Sequence, residues 1–330
     1  MPWDQRTRRR LKLRELNILL AVAQAGSMAK AAKELTISQP AVSKAIADME
    51  HTLGVPLLDR SQQGVEPTQY GHALLKRGVA VFAELQQGIE DIDFLSNPDA
   101  GELRIGSTSG LSEGIVLAVI NRMSRRHPRV IFHVAPGGLL IQYQELRERR
   151  VELAFTRLFG PAPEEDVDAN VLYEESLVVA AGKENPWARR RKITLEELVS
   201  EPWTWPAAGT IIDSLVVEAF RACGLEPPRA TVYADAINMR TRLAASGPFL
   251  AIVPASIFRV PGKHASLIEL PVELPTTQQP VAIVTLKNRT LSPLAQRFIE
   301  CAVEVAKPLA KAQGPSGRVK NTPRRNSQTK

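Results

Sequence analysis

The sequence predicts an α/β fold preceded by an all-α segment and one long helix. Residues 1–68 are rich in Ala, Leu and Lys, and their pattern predicts several short helices separated by short turns. Beyond residue 101, short apolar strands alternate with helices. This alternation indicates mostly parallel sheets with helices on both faces, which is a doubly wound arrangement. About 210 residues of this kind leave ample room for two lobes.

The composition fits a globular chain with several domains. The chain has 330 residues, of which 44% are apolar and 23% are charged. No apolar run reaches the roughly 18 residues that a membrane helix needs, so we expect no membrane partner. No secretory signal is recognisable, and two cysteines cannot build a disulfide framework. These two features predict a cytoplasmic protein.

The positive charge is concentrated at the two ends of the chain. The net formal charge is +7. Residues 1–14 contain six basic side chains and one acidic side chain, and residues 307–330 contain seven basic side chains and no acidic one. Basic arms favour a polyanionic partner, although a solubilising tail explains the C-terminal segment equally well. The polar residues 308–330 predict a disordered tail.

Three short helices are predicted between residues 11 and 54. Apolar residues at helical spacing define the first helix, which ends at Gly26. Ser27 begins the second helix, and Ser38 begins the third, which ends at Gly54. Pro40 falls in the first turn of the third helix, where proline is tolerated.

The second and third helices predict a helix-turn-helix. Only a short turn at residues 36–37 separates them, and one face of the third helix is an apolar stripe that must be buried. The opposite face bears short or polar side chains that could reach base edges in a major groove. A plain three-helix bundle is the alternative. The side chains on this opposite face are Gln39, Pro40, Ser43, Lys44 and Ala47.

A wing and a long helix follow. Extended segments on either side of the turn-prone residues 61–64 predict a hairpin, and Thr68 caps a helix from Gln69 to about Leu95. Residues of this helix repeat at alternating spacings of four and three, which indicates a seam for helix pairing. Packing against its own protein is the alternative. The seam consists of Leu74, Gly78, Val81, Leu85, Gly88 and Ile92.

In the α/β part, polar residues and glycines follow the predicted strands. Ligands bind outside the carboxyl ends of strands in such sheets. Hydroxyl and backbone N–H groups there could hold an anion, with simple helix capping as the alternative. Arg157 could pair with a carboxylate, with a surface ion pair as the alternative. The candidate effector-binding residues are Ser107, Thr108, Ser109, Gly138, Thr156, Arg157 and Pro206.

The stretch SMAKAAKELTISQPAVSKAIADMEHTLGVPLLDR from Ser27 resembles the LysR-type transcriptional regulators, as do LKLRELNILLAVAQAGS before it and GVEPTQYGHALL after it. The match is close over residues 11 to about 75, and the layout fits over nearly the whole chain. The resemblance implies tetramers that bind promoter DNA, respond to a small inducer and act with RNA polymerase as a partner. The stretches LVVAAGKENPW and EPWTWPAAGT resemble the branch that controls sugar uptake and aromatic-acid breakdown.

The resemblance also implies a domain plan. It consists of a winged helix-turn-helix domain with a basic arm, a dimerising linker helix, a two-lobed effector domain like periplasmic binding proteins, and the basic tail. Lobe I is expected at about 101–176 and 288–307, and lobe II at about 177–287. The four parts are 1–68, 69–97, 101–307 and 308–330.

The same resemblance implies which residues contact DNA. Lys44 stands where the family very often has arginine, so it keeps the charge but loses the planar fork that reads guanine. Residues 15–68 contain only four basic side chains against six acidic ones, so the arginines of the N-terminal arm are expected to supply much of the phosphate attraction. The implied DNA contacts are Ser27, Ser38, Gln39, Pro40, Ser43, Lys44 and Arg60.

No catalytic or metal-binding motif is recognisable. P-loop, HExxH, CxxC and EF-hand spacings are absent, and the five histidines are scattered. Residues 106–110 approach a nucleophile elbow but have Thr108 at the nucleophile position. The sequence therefore predicts a regulator that is not an enzyme and has no cofactor and no metal. The other hypotheses are an enzyme with an appended DNA-binding domain and an exported solute-binding protein.

Overall fold

The computed structural model divides into two compact units, which are residues 1–96 with 147–150, and residues 97–146 with 151–330. None of the helices in the described part of the chain has both the length and the hydropathy of a membrane span. Four predicted features lie outside the described residues: the basic N-terminal arm, the tip of the wing, the last residue of the linker helix at position 97 and the tail beyond residue 311. The structure describes residues 11–61, 64–96, 100–159, 164–259 and 266–311.

The first unit contains the predicted helices and wing. Gly26 and Gly54 end two of its helices in left-handed conformations, with φ of 61° and 70°, which glycine adopts without steric cost. The three short helices enclose one apolar core around Val22, Val42 and Ile46. The elements are α1 (Leu13–Ala25), α2 (Met28–Glu34), α3 (Gln39–Leu53), β1 (Leu58–Ser61), β2 (Gly64–Pro67) and α4 (Gln69–Ser96).

The wing is attached to α3 and α4 by hydrogen bonds. A carboxylate oxygen of Glu50 accepts from the backbone N–H of Leu57 at 2.7 Å and from that of the next residue at 3.2 Å. The Thr68 hydroxyl donates to the carbonyl of Pro56 and accepts from the N–H of Gly71. A Cβ on Gly71 would lie 2.1 Å from the carbonyl oxygen of Leu57, so only glycine fits this approach.

The predicted seam of α4 divides into two halves. Leu74 packs on the core of the first unit, and a Cβ on Gly78 would lie 3.0 Å from the Leu16 side chain. The N-terminal half therefore follows the alternative of packing on its own protein. The C-terminal half instead presents an apolar stripe to solvent, formed by Val81, Leu85, Ile89, Ile92 and Leu95.

The second unit contains two five-stranded sheets, each the centre of one lobe. Lobe I contains β3 (Ala100–Ser107), the single turn α5 (Ser109–Leu111), a π-helical segment (Ser112–Val116), α6 (Leu117–Arg126), β4 (Arg129–Pro136), α7 (Leu139–Arg147), β5 (Leu153–Arg157), β6 (Val167–Glu175), β12 (Gln279–Leu286) and α12 (Pro293–Lys311). Lobe II contains β7 (Leu177–Gly182), a 3₁₀ turn (Pro186–Arg189), α8 (Leu195–Leu198), β8 (Trp203–Trp205), α9 (Ile211–Ala222), β9 (Val232–Tyr233), α10 (Ile237–Ser246), β10 (Leu250–Pro254), α11 (Ser256–Arg259) and β11 (Leu267–Glu269).

The expectation of mostly parallel sheets is confirmed, because four of the five strands in each sheet run in the same direction and one strand is reversed. The strand orders are β4-β3-β5-β12-β6 and β11-β7-β10-β8-β9. β12 runs antiparallel to β5 and β6, and β7 runs antiparallel to β10 and β11. The chain passes from lobe I into lobe II at β7 and returns to lobe I at β12. Each of these strands begins beside the carboxyl ends of the other strands in its sheet, so it runs in the opposite direction.

Two predicted boundaries change. Lobe II was expected to extend to about residue 287, but β12 belongs to the sheet of lobe I, where residues 281–284 are buried and pair with β5 and β6. The tail was expected from residue 308, but α12 continues to Lys311. Burial of Leu309 stabilises this extra turn despite Pro308 within the helix.

The helical region at residues 112–126 is not one continuous α-helix. A π-helical segment precedes α6, and Gly114 within it has a non-helical backbone with φ of −102° and ψ of −105°. A Cβ on Gly114 would lie 3.0 Å from the Ser256 hydroxyl oxygen, which lies in lobe II. The irregular helix therefore allows the backbone of lobe I to approach lobe II closely.

Candidate functional site

The first candidate surface is the exposed face at the beginning of α3. Val42, Ile46 and Met49 are buried in the core of the first unit. Gln39 and Lys44 lie on the opposite side and are exposed, as the apolar periodicity of the helix requires. The face is therefore available to a partner at the N-terminal half of α3.

The serines before α2 and α3 differ in their hydrogen bonds. The hydroxyl oxygen of Ser38 accepts from the backbone N–H of Ala41 at 3.4 Å, so Ser38 caps α3. Ser27 occupies the N-cap position of α2, but its side chain makes no capping hydrogen bond. Pro40 is exposed in the first turn of α3, and Arg60 is exposed on β1.

Ser43 is placed differently from its neighbours on α3. Its side chain is half-buried, and its hydroxyl lies 3.2 Å from the sulfur of Met28 at the start of α2. Ser43 therefore lies at the flank of the exposed face, where α2 and α3 pack. The sequence pattern located its helix turn but could not indicate this contact.

The second candidate site is a cavity of about 660 Å³ lined by both lobes of the second unit. Its size lies within the range of about 300–1,000 Å³ that is usual for small-molecule sites. Loops after β3, β4 and β5 line it from lobe I, and the segment before α9 and the start of α10 line it from lobe II. Six of the seven predicted effector-binding residues line this cavity: Thr108, Ser109, Gly138, Thr156, Arg157 and Pro206.

Ser107, the seventh predicted residue, does not line the cavity. It is fully buried, and its hydroxyl donates to the carbonyl of Thr108 at 3.1 Å. Its own carbonyl accepts from the N–H of Gly137 at 3.1 Å. The expectation that the Ser107 hydroxyl faces a ligand is corrected on this geometry, because the residue joins two loops of lobe I instead.

Gln142 on α7 holds the loops that border the cavity in lobe I. Its buried side-chain NH₂ group donates to the carbonyls of Ser107, Ala135 and Gly137 at 3.2–3.3 Å. A Cβ on Gly106 would lie 1.8 Å from the Gln142 amide oxygen. Sequence analysis missed this residue, because a glutamine in a helix gives no signal that it will be buried.

Arg157 is held by a buried ion pair. Its guanidinium lies 2.5 Å from the carboxylate of Glu175, and the side chains are 6% and 1% exposed. The second carboxylate oxygen of Glu175 accepts from the backbone N–H of Ser256 at 3.0 Å. The alternative of a surface ion pair is therefore wrong, and most of the charge that Arg157 could offer a ligand is neutralised within the protein.

Arg240 on α10 is a second buried arginine at the cavity, and sequence analysis missed it. Its guanidinium donates to the carbonyl of Ile252 at 2.7 Å. Burial lowers the pKa of Arg240 to about 10, while the carboxylates of Asp235 and Glu113 oppose this shift. The side chain therefore stays protonated at neutral pH. An arginine among polar helix residues resembles any solvated charge in sequence, so only the fold reveals this position.

The N-terminus of α9 borders the cavity in lobe II and is satisfied by its own residues. Thr210 accepts from the N–H of Asp213 at 3.2 Å. The Asp213 carboxylate accepts from the indole N–H of Trp205 and the backbone N–H of Gly209, both at 2.8 Å. Trp205 is 2% exposed and belongs to the lobe II core. This border is therefore a preformed wall.

The arrangement of both sites suits binding. The exposed start of α3 offers polar and cationic side chains to a polyanion. The cavity offers hydroxyls, glycine-rich turns and two guanidinium groups within an apolar surround. Within the described ranges, no group of His, Cys, Asp or Glu side chains is arranged to hold a metal ion.

Two family models match the chain. Residues 13–72 match the bacterial regulatory helix-turn-helix protein, lysR family, and residues 96–307 match the LysR substrate binding domain. The second match alone spans more than half of the chain. The chain belongs to the LysR family. It is a LysR-type DNA-binding transcriptional regulator with a substrate-binding domain.

Individual LysR relatives match over most of their length. The regulator GbpR of Azospirillum brasilense is 28% identical over 87% of this chain and 84% of its own. An uncharacterized regulator of Bacillus subtilis, YybE, is 29% identical over 90% of this chain and 97% of its own. Both relatives are described as HTH-type transcriptional regulators.

Solved LysR-family structures share the fold. CbnR in complex with its target DNA has a TM-score of 0.62 and 23% identity, covering 89% of this chain and 100% of that one. A full-length variant of OxyR from Pseudomonas aeruginosa has a TM-score of 0.62 and 22% identity, covering 90% of this chain and 94% of that one. At this identity the likeness concerns the fold alone.

Proposed function

We propose that this LysR-family regulator reads promoter DNA with the N-terminal half of α3 placed in a major groove. Gln39, Pro40 and Lys44 would face base edges or the adjoining backbone, and Ser43 would approach from the flank. The observation that supports this most strongly is the exposure of Gln39 and Lys44 opposite the buried stripe of α3. Polar side chains at the start of a helix can reach base edges in that groove.

Phosphate contacts would orient the domain on the duplex. The Ser27 hydroxyl makes no capping hydrogen bond and so has capacity for a phosphate oxygen, and Arg60 is exposed on the wing. Few other cations exist in residues 15–68. We therefore assign much of the remaining phosphate attraction to the arginines of residues 1–10. The Lys44 amine supplies charge without the bidentate geometry of arginine.

The cavity between the lobes would bind the small-molecule inducer, either a carboxylate or a sugar-like compound. Closure of the lobes around the inducer would shift the population of quaternary shapes and thereby change the bending of DNA. Its preformed walls and its lining by loops from both lobes support this assignment.

A second copy of the chain would cover the exposed stripe of α4. Val81, Leu85 and Ile89 are 40–55% exposed and recur every four residues, and such a stripe is buried when two helices pair. We propose a dimer through this helix and a tetramer through further contacts. Residues 1–68 would then be the DNA-binding domain and 69–97 the dimerising linker. The basic tail, the action with RNA polymerase, the cytoplasmic location and the sugar-uptake or aromatic-acid branch stay predictions.

The test is binding of the purified protein to the DNA upstream of its own gene against scrambled DNA, over a salt series. We expect specific binding that Gln39→Ala and Lys44→Ala weaken. Arg77→Ala, an exposed change on α4, serves as the matched control. Equal weak binding to both DNAs, unaffected by these substitutions, would reject α3 as the reading helix for that promoter.

A deletion of residues 2–10 tests the basic arm separately. The slope of log affinity against log salt concentration changes by about 0.9 for each phosphate contact. Because the deletion removes several arginines, we expect the slope to flatten by more than about 0.9. An unchanged affinity and an unchanged slope would exclude a contribution of the arm.

A further inference from the structure

The cavity contains a buried cation, Arg240, that forms no ion pair with any carboxylate of the described residues. Arg240 is 6% exposed, and its Nη1 donates to the carbonyl of Ile252 at 2.7 Å. Its buried Nε has no hydrogen-bond partner, and within the described residues Arg240 forms no ion pair. Burying a guanidinium without a counter-ion is unfavourable, so the site has unused capacity for an anion.

Arg157, the other cation of the cavity, also has a buried Nε without a hydrogen-bond partner among the described residues, but it differs from Arg240 in having an ion pair. The ion pair with Glu175 satisfies its charge inside the protein. The charges of Asp235 and Glu113 act on Arg240 from a longer distance, but neither carboxylate forms an ion pair with it among the described residues. Asp235 also lines the cavity, and its side chain is exposed. A second unsatisfied group accompanies Arg240, because the buried hydroxyl of Thr108 lines the cavity without a hydrogen-bond partner.

The rest of the lining is largely apolar. Twelve lining residues are Leu, Ile, Phe or Pro, whereas four have hydroxyl groups. A sugar-like ligand would lose hydrogen bonds to water at every hydroxyl placed against this surface. A ligand with one charged group and a hydrocarbon body would instead satisfy both parts of the lining.

We propose that the effector is a small carboxylate with an apolar body, and that Arg240 binds its carboxylate while Thr108 adds a hydroxyl contact. This rests on the proposed function, since it takes the cavity as the effector site. Between the two inducer classes considered above, it selects the carboxylate. It also moves the recognition of the carboxylate from Arg157 to Arg240.

Pairing of Arg240 with a ligand carboxylate predicts that the cavity binds negatively charged ligands much more tightly than neutral ligands of the same shape. A guanidinium donates two parallel hydrogen bonds to a carboxylate, which are stronger than bonds between neutral groups. A neutral amide of the same shape keeps the apolar contacts but leaves the charge of Arg240 unpaired. We expect amides to bind about 10- to 100-fold more weakly than the matching carboxylates, since a charged hydrogen bond contributes about that much.

The test uses the full chain and a panel of apolar monocarboxylates from hexanoate to benzoate and its ring-substituted forms. Each is paired with its amide, and glucose and arabinose represent sugars. Thermal shift is followed by calorimetric titration. We expect saturable binding by at least one carboxylate and about 10-fold or greater weakening for its amide. Equal binding of an acid and its amide, binding of sugars alone, or no binding across the panel would overturn the proposal.

Variants of Arg240 test whether this residue binds the carboxylate of the ligand. Arg240→Gln is expected to lose at least 10-fold in affinity for the acid and little for the amide, and Arg240→Lys is expected to be intermediate. Arg242→Gln changes an exposed arginine on the same helix and serves as the control. Unchanged acid binding by Arg240→Gln would overturn the assignment. If that variant does not fold, the comparison of acids with amides on the unmodified protein still decides.

DNA binding separates this inference from the proposed function. Arg240→Gln should bind promoter DNA like the unmodified protein when no effector is present, because Arg240 lies in the second unit. A neutral effector that alters DNA binding through the cavity would refute the carboxylate and leave the regulator function intact. Absence of sequence-specific DNA binding in the unmodified protein would refute the regulator function, whatever the cavity binds.

Discussion

Replacing Arg157 with methionine should destabilise the second unit, because the change leaves Glu175 buried without its cation. The two side chains are 6% and 1% exposed and 2.5 Å apart. Removing one partner of such a pair costs about 3–5 kcal/mol. Glu175 keeps the backbone N–H of Ser256 at 3.0 Å, so we expect the lower end, about 3 kcal/mol.

The double variant Arg157→Met with Glu175→Gln should recover most of this loss. The amide oxygen of glutamine can still accept from Ser256, and no buried charge remains uncompensated. Exchanging a buried ion pair for neutral groups of similar volume is often neutral, so we expect a cost within about 1 kcal/mol of the unmodified protein.

Urea unfolding followed by tryptophan fluorescence measures these costs. Three of the four tryptophans, Trp187, Trp203 and Trp205, lie in lobe II and report on the second unit. With a slope of about 3 kcal/mol per molar urea, a loss of 3 kcal/mol lowers the midpoint by about 1 M. If the losses in the free energy of unfolding add, so that the double variant is less stable than either single variant, Arg157 and Glu175 are not energetically coupled. Arg157 would then again be a candidate for ligand binding.

Lys44→Ala should flatten the slope of log affinity against log salt concentration by about 0.9. Gln39→Ala should make the free energy of binding to specific DNA less favourable by about 1–3 kcal/mol and change binding to random DNA little. Filter binding over a salt series measures both effects. Gly71→Ala should unfold the wing at lower temperature, since its Cβ would lie 2.1 Å from a backbone carbonyl oxygen; proteolysis of the wing measures this. Leu85→Arg with Ile89→Arg should shift the protein towards monomers in analytical ultracentrifugation. Arg240→Gln should abolish the acid-over-amide preference in calorimetry.

The first unit could be predicted almost completely from sequence, because its signals are local. Glycines at residues 26 and 54 end helices, serines begin them, and apolar periodicity identifies the buried face of α3. The division of the α4 seam could not be predicted in the same way. Leu74 and Leu85 are equivalent in a heptad pattern, and only the position of α1 determines which of them is buried.

The second unit was harder to predict, because its signals depend on contacts between distant segments. The sequence gives little signal for β6, because residues 168–175 alternate weakly and contain three acidic side chains, Asp168, Glu174 and Glu175. The direction of β12 depends on where the chain crosses between lobes, which the pattern of a single strand does not encode. The carboxyl ends of strands correctly located the cavity, and six predicted residues line it.

The errors within the cavity have one cause. Whether a polar side chain faces a ligand or a neighbouring protein group depends on partners far away in sequence, such as Glu175 for Arg157 and Gln142 for the carbonyl of Ser107. Arg240 was missed for the same reason, because burial of an arginine on a short amphipathic helix is a property of the fold.

The most direct test of the central claim is selection of bound sequences from random DNA by the purified full chain, repeated with the Gln39→Ala protein. We predict one enriched motif with two half-sites related by two-fold symmetry, because a dimer through α4 would present two copies of α3. The variant should lose discrimination at defined positions within each half-site. No enriched motif, or the same motif read equally well by the variant, would contradict the assignment of α3 as the helix that reads DNA.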